Sequence, residues 1–327
     1  MTIKSLLSAG IDIGTTSTHL TLSRLKLANS ARINQPGRLI IESSEMIHQS
    51  PIHYTPLKNN GSQIDAAGVL EILRREYARC GIAKDEIDTG AVIITGETSR
   101  LRNAREVVES IAELAGKFVV ASAGPNLEAA LSARGSGAAT ASKLGAQAIC
   151  NIDIGGGTSN IAVFRNGELV ETFALSIGGR MLRLNEAGQI TSVTESGDRL
   201  RALAGQSASG NDERKQPALC ARKAAEILLG AVLDREFAKE FLISGAAGDH
   251  QAIDEYWFSG GVAEAMLVGG TASLKEAEYG DMGVLLADEL LKQLRARAIK
   301  YHIPPQPIRA TVIGAGVHSL QLSGSTV

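Results

Sequence analysis

Apolar and polar positions alternate in short runs, and two of those runs carry the same signature. Ile11-Asp12-Ile13-Gly14-Thr15-Thr16-Ser17-Thr18 recurs, 141 residues on, as Ile152-Asp153-Ile154-Gly155-Gly156-Gly157-Thr158-Ser159. Leu20 and Leu22 follow the first copy, and Ile161 and Val163 the second, at the two-residue period of a half-buried strand. Each copy therefore predicts a β-hairpin with a turn of Gly, Thr and Ser. One such turn is ordinary; two at domain-sized separation predict a duplicated fold with one loop in each half.

The remaining pattern is α/β. Strands are predicted over Arg38–Ser43, Ala91–Thr95 and Phe118–Ser122. Val69, Leu70, Leu73 and Tyr77 share one face of a helix that Gly81 ends. Asn103 is positioned to cap a helix carrying Val107, Val108, Ile111 and Leu114. Gly124-Pro125 leads into a helix over Leu127–Arg134. Asn166-Gly167 is a type I′ hairpin signal between Asn160–Phe164 and Glu168–Ser176. Thr194–Pro217 is polar and reads as a surface excursion, partly disordered. Beyond it, Ala224, Ile227, Leu228, Ala231 and Val232 form the inward face of a long helix, and a second helix runs from Gly283 through Leu294. The strand Arg309–Ile313 and a Gly314-Ala315-Gly316 turn into a short helix close the chain.

Composition narrows the classes. At 327 residues there is room for two domains, each with its own core. Basic and acidic side chains nearly balance, 33 against 35, and no Lys/Arg run stands out, so a nucleic-acid partner is not expected. No stretch has the length of a membrane span, and the N-terminus lacks a signal-peptide core, so a cytoplasmic protein with no membrane partner is expected. Cys80, Cys150 and Cys220 lack metal-ligand spacing and read as reduced thiols. The six histidines form no HExxH-like pair.

The chemistry lies in the paired turns. A phosphate chain needs backbone N–H groups aimed at its oxygens, and only small residues let the backbone come close. Gly14, Thr15 and Thr16 supply one such turn; Gly155, Gly156, Gly157 and Thr158 supply the other. Each follows a carboxylate at a strand end, and Mg²⁺ is usually held by one or two carboxylates together with phosphate. Asp12 and Asp153 are thus the candidate metal ligands and catalytic residues, one of them able to orient or deprotonate the attacking water. An isolated Asp-x-Gly turn is as readily an Asx-turn; it is the pairing that argues for nucleotide. Phe258-Ser259-Gly260-Gly261-Val262 reads as a strand ending in a double glycine, where Gly260 and Gly261 would let an adenosine approach. Gly314-x-Gly316 lacks the third glycine of a dinucleotide fingerprint, and NAD is rejected.

These segments, in this order, resemble the actin, hexokinase and DnaK-type ATPase superfamily. Gly10–Thr16 resembles its phosphate-1 motif, Asn151–Thr158 its phosphate-2 motif and Phe258–Val262 its adenosine motif. Pro125–Arg134 and Gly314–Leu322 would be the connecting helices. The resemblance implies an actin-like (ribonuclease H-like) duplicated two-domain ATPase fold with an interdomain nucleotide cleft for ATP or ADP with Mg²⁺. The domains would be residues 1–147 with 309–327, and residues 148–308. Within the superfamily the chain most resembles the reactivating factors of ethanolamine ammonia-lyase, the EutA family. That likeness rests on Ser8–Thr16, Ile93–Glu97, Arg102–Arg105, Phe118–Pro125, Asn151–Asn160, Gly280–Gly283, Arg309–Gly316 and His318–Thr326, and is patchy between Thr191 and Gln251. It implies a chaperone that uses ATP to eject damaged cobalamin from its partner, ethanolamine ammonia-lyase, so that intact adenosylcobalamin can enter. It also implies work in the cytoplasm, in or at a bacterial ethanolamine-utilisation microcompartment. Family members continue beyond the segment resembling Leu322–Thr326, a region with an implied part in recognising the lyase.

Two other functions fit the same fold. A small-molecule kinase would need a third carboxylate to deprotonate an acceptor, for which Glu97 and Glu128 are the candidates; the bland alternative for both is a surface carboxylate or a helix-dipole partner. A filament-forming ATPase would show as pelleting in ATP. Homo-oligomerisation is left open by the sequence.

Overall fold

The computed structural model describes residues 4–14, 17–29, 39–51, 53–59, 63–94, 103, 107, 110–111, 118–122, 124–206, 215–234, 237, 239–245, 252–269, 280–311 and 313–314. The chain divides into two compact units, residues 1–124 with 312–327, and residues 125–311.

In the first unit the strands are β1 (Lys4–Ile13), β2 (Ser17–Asn29), β3 (Leu39–Gln49), the short β4 (His53–Tyr54), β5 (Leu57–Lys58) and β6 (Gln63–Ile64), then β7 (Thr89–Ile94) and β8 (Phe118–Ser122). The main sheet runs β3-β2-β1-β7-β8, with β4 joined to β2. β1 pairs antiparallel with β2 and parallel with β7. Helix α1 (Ala66–Cys80) starts where the Asp65 carboxylate accepts the Gly68 N–H and stops at Gly81, whose φ of 66° closes it. It buries Val69 and Leu73 with Ala9, Ile11, Ile13, Leu20 and Leu22.

The second unit repeats the plan at larger size. Its strands are β9 (Ala148–Ile154), β10 (Ser159–Arg165), β11 (Glu168–Leu175), β12 (Leu182–Leu184), β13 (Ile190–Val193), β14 (Leu242–Gly245), β15 (Glu255–Ser259) and β16 (Tyr301–His302). The main sheet runs β14-β11-β10-β9-β15-β16. Here β9 pairs antiparallel with β10 and parallel with β15, as β1 does with β2 and β7. The register repeats as well: Ile13 faces Thr18 and Asp12 faces His19, while Ile154 faces Ser159 and Asp153 faces Asn160. The duplication seen in the sequence thus holds at the level of hydrogen-bonding register.

Alternation sends the two faces of this sheet to different covers. Cys150, Ile152, Ile154, Ile161, Val163 and Phe258 enter the large core. Helices α5 (Gln216–Leu229), α6 (Gly261–Leu267) and α7 (Gly283–Ala296) cover that face. On the opposite face Ile149, Ala162 and Phe164 pack with Ala129, Ala133 and Ala138 of α2 (Pro125–Gly135) and α3 (Ala138–Gly145). Alanines let α2 lie close to the strands, and the polar residues of this face sit under it. By packing, α2 and α3 belong with the second unit, whereas the expected repeat boundary falls after them, at residue 148.

Most expected elements are present, with three differences. Thr194–Pro217 is not a loop over its first half: α4 (Glu195–Gln206) forms there, and the Thr194 hydroxyl accepts the Gly197 N–H. Leu200 and Ala204, one turn apart, are buried in the core and Leu203 packs partly against it, a stripe too short to stand out among charges. Residues 207–214 lie outside the described residues. Asn103 stands at the expected helix start, its carbonyl accepting the Val107 N–H at 3.0 Å, and its side-chain amide brackets the backbone of Ile64, accepting from N–H at 3.0 Å and donating to C=O at 2.8 Å. The strand expected over Arg309–Ile313 is absent. Pro307–Arg309 is a 3₁₀ turn, and Ala310, Thr311, Ile313 and Gly314 are helical, because Pro307 presets a helical start that the β-branched run does not override. The third strand is longer than expected, reaching Gln49. Glu97, Val108, Leu114 and the expected helix beyond Gly314 lie outside the described residues.

Among the described residues, no helix is long and apolar enough to cross a membrane.

Candidate functional site

Asp12 is half-buried near the end of β1. In the turn that follows, the Gly14 carbonyl accepts the Thr55 hydroxyl at 2.7 Å, and Thr55 lies 3.0 Å from the Thr18 hydroxyl. These two threonines fix one end of the first loop. Thr15 and Thr16 lie outside the described residues.

The second loop is described throughout. Gly155 N–H bonds to the Thr158 carbonyl at 2.9 Å, closing the turn between β9 and β10. Gly179 and Arg180 donate their backbone N–H groups to the carbonyls of Gly155 and Gly156, at 3.0 and 2.6 Å. The loop carbonyls are thus held from behind. The N–H groups of Gly156, Gly157 and Thr158 take no backbone partner among the described residues. A Cβ built on Gly157 meets nothing within 4 Å. The protein itself therefore does not require glycine at 157. A phosphate brought close to the backbone would.

The segment behind the loop is itself tightly set. A Cβ at Gly178 would run into the Gly156 carbonyl, so residues 178–180 press against the loop backbone. Arg180 is paired with Asp281 at 3.5 Å, both nearly buried, and Asp281 Oδ1 accepts the Gly283 N–H at 2.8 Å. Burial pushes the Asp281 carboxyl up, and Arg180 works against that shift.

Asp153 has 6% of its surface exposed. Ser259 donates to its Oδ1 at 2.6 Å, and Thr311 lies at 3.5 Å from its Oδ2. No Lys or Arg compensates its charge among the described residues, and burial pushes the carboxyl up to about 6 against the two hydroxyl bonds. Asn160, directly opposite on β10, is buried with its Oδ1 unpartnered. A buried carboxylate without a counter-charge, beside a buried acceptor without a donor, suits a hydrated divalent cation.

A buried polar chain leads to Asp153. Ser136 donates to Asn151 Oδ1 at 2.8 Å, and Asn151 Nδ2 donates to Ser259 at 3.2 Å and to Ser132 at 3.4 Å. Sequence reasoning assigned none of these residues a role. Asn151 and Ser259 lay inside quoted motifs, but the glycines beside them carried the reading.

Gly260 and Gly261 join β15 to α6. Gly260 has φ 88° and ψ −179°, and a Cβ there would strike the backbone of Ile154. Its need for glycine comes from packing on the second loop's own strand. Gly261 opens α6 with room for a side chain. Glu128 is buried on α2.

Comparison with known proteins gives the family. The model of the ethanolamine utilisation protein EutA matches residues 4–327. Two curated proteins named ethanolamine ammonia-lyase reactivase EutA align over all of this chain and 70% of their own length. They come from Salmonella typhimurium (strain LT2) and Escherichia coli (strain K12), and each is 36% identical. Among solved structures, component A of the Acidaminococcus fermentans (R)-2-hydroxyglutaryl-CoA dehydratase matches with a TM-score of 0.51 at 14% identity, over 98% of this chain and 100% of that one. That likeness concerns the fold, and the duplicated strand order agrees with the actin-like fold expected from the sequence. A match to one family model over nearly the whole chain places this protein in the EutA family.

Proposed function

We propose that the protein is an ATP-dependent reactivating chaperone for adenosylcobalamin-dependent ethanolamine ammonia-lyase, releasing damaged cobalamin so that intact coenzyme can bind. The observation that carries this is the alignment, at 36% identity over the whole chain, with two proteins named as reactivases of that enzyme. It would act in the cytoplasm, in or at the ethanolamine-utilisation microcompartment. The two repeats would be residues 1–147 with 309–327, and 148–308, each opening on the strand that bears its carboxylate.

Support for a nucleotide comes from the loops. Gly156, Gly157 and Thr158 would offer backbone N–H groups to phosphate, with Gly155 closing the turn that presents them, and Gly14, Thr15 and Thr16 would serve in the other repeat. Asp153 and Asn160 would hold Mg²⁺ and its water shell, and Asp12 would be the metal-binding carboxylate that the first repeat contributes by its own motif. Gly260 and Gly261 would border adenosine. ATP supplies a phosphoanhydride whose slow hydrolysis separates two nucleotide states. The protein's own part is to grip the lyase differently in those states, since a nucleotide shifts a conformational equilibrium only through differential affinity.

Co-purification of the lyase with this protein in ATP and in ADP, each with Mg²⁺, tests the proposal. Lyase affinity differing between the two nucleotides by roughly 5–150-fold is the expected outcome. Equal affinity in both, or none in either, contradicts it.

A further inference from the structure

We propose that Ser259 is a positioning residue for Asp153: its hydroxyl fixes the rotation of the carboxylate so that Oδ2 is the oxygen offered to a Mg-nucleotide. The inference rests on the reading of the second loop as a phosphate loop.

Three observations carry it. Parallel pairing of β15 with β9 sets Ser259 beside Asp153 at the same register, and the resulting bond is 2.6 Å long between groups 0% and 6% exposed. That is a short, charge-assisted hydrogen bond. Oδ2, by contrast, has among the described residues only the Thr311 hydroxyl at 3.5 Å, the limit of a hydrogen bond, and so remains available.

The direction of the bond is also fixed. A carboxylate only accepts, so the 2.6 Å bond is donated by Ser259, and Asn151 Nδ2 donates to the Ser259 oxygen. A hydroxyl has one proton; with its oxygen accepting from Asn151, Ser259 gives that proton to Asp153. The chain Asn151, Ser259, Asp153 therefore runs one way and ends on the carboxylate. A structural polar cluster would serve as well with the last link missing, but here the last link is the shortest.

The other repeat supplies the comparison. At the register position of Ser259, β7 carries Ile93, fully buried and without a donor. The two repeats share a backbone, so the serine is not required by the fold.

The test uses the full chain with Ser259→Ala and Ser259→Cys, the latter keeping the volume with a weak donor. Calorimetry of ADP and ATP with Mg²⁺ and with a chelator gives the gain in affinity due to the metal, and ATP hydrolysis gives kcat and KM. Ser259→Ala is expected to lose about tenfold of the Mg²⁺-dependent gain and about tenfold in kcat, the size of one charge-assisted hydrogen bond. Chelated binding should stay near wild type, the ATP KM in Mg²⁺ should rise in step with the lost gain, and Ser259→Cys should fall between. A lowered melting temperature with the full Mg²⁺ gain retained would reduce Ser259 to a structural role and overturn the inference. Should the alanine variant not fold, the cysteine variant decides: an undiminished Mg²⁺ gain in it overturns the inference. A wild-type protein with no Mg²⁺-dependent nucleotide binding would overturn the function reading itself, a result distinguishable from either.

Discussion

In the first unit Asp12 faces His19 across the antiparallel pair and Ile93 across the parallel one. In the second unit Asp153 stands at the same register and faces Asn160 and Ser259. Asp12 is half-buried, while Asp153 is enclosed and held by a hydroxyl that in turn accepts from Asn151. Backbone plan and side-chain chemistry have therefore diverged separately. The repeated strand order is a solution to packing a mixed sheet, and it survives when most side chains change. The polar row around Asp153 costs stability in an otherwise apolar layer, which makes it evidence for a task that the first copy does not share.

The largest effect that could break this comparison is catalytic. Asp153→Ala is expected to lower ATP hydrolysis by roughly 10²–10⁴-fold, and by more than Asp12→Ala does. Single-turnover hydrolysis of both variants checks it. A larger loss from Asp12→Ala would reverse the assignment of the constrained carboxylate.

Next in size is a contrast between two glycines of the second unit. Gly260→Ala forces a side chain into a backbone region that glycine alone adopts readily, and against Ile154, so a loss of about 3 kcal/mol in stability is expected in denaturant titration. Gly157→Ala, with open space around the new Cβ, should change stability by less than about 0.5 kcal/mol. It should nevertheless abolish the rise in melting temperature that ATP and Mg²⁺ give the wild type.

Burial of Asp153 predicts a pH signature of similar or smaller size. Its carboxyl titrates near 6 in the folded protein against 3.8 as the reference. The folded state thus binds the proton more tightly than the unfolded one. The associated stability is fully present below about pH 3.8 and is lost as pH rises through 6. With metal chelated, Asp153→Asn should therefore be more stable than wild type at pH 8, by up to about 3 kcal/mol, and the gain should shrink toward pH 4. A gain that is constant with pH would show that charge burial is not its source.

Local signals made much of the fold legible. Asn166 and Gly167 have φ values of 52° and 82°, the turn that their dipeptide announces, and the hairpin follows from it. Gly81 ends α1 as read. The inward face of α5 and of the π-helical turn after it, through Val232, is buried as its periodicity required. Helix α4 escaped because Leu200, Leu203 and Ala204 fall within little more than one turn and leave no sustained periodicity to read. Thr311 and Ile313 suggested a strand because β-branched residues favour one, but Pro307 decides the local geometry. At the site, Asp153 and its glycines were legible as a spaced repeat. Ser259, Asn151, Ser136 and Thr311 were not, since they are brought to Asp153 from residues 2 to 158 positions away, and serine carries little signal of its own.

The central claim is that this protein restores a damaged B12 enzyme in a nucleotide-dependent way, and a reactivation time course tests it most directly. Ethanolamine ammonia-lyase inactivated with an adenyl-lacking cobalamin is incubated with the protein, ATP, Mg²⁺ and free adenosylcobalamin, and ethanolamine deamination is followed. The account predicts that activity returns with the wild type and ATP, and does not return with Asp153→Ala or without nucleotide. Recovery that is the same with Asp153→Ala, or no recovery with a wild type that binds and hydrolyses ATP, would contradict it.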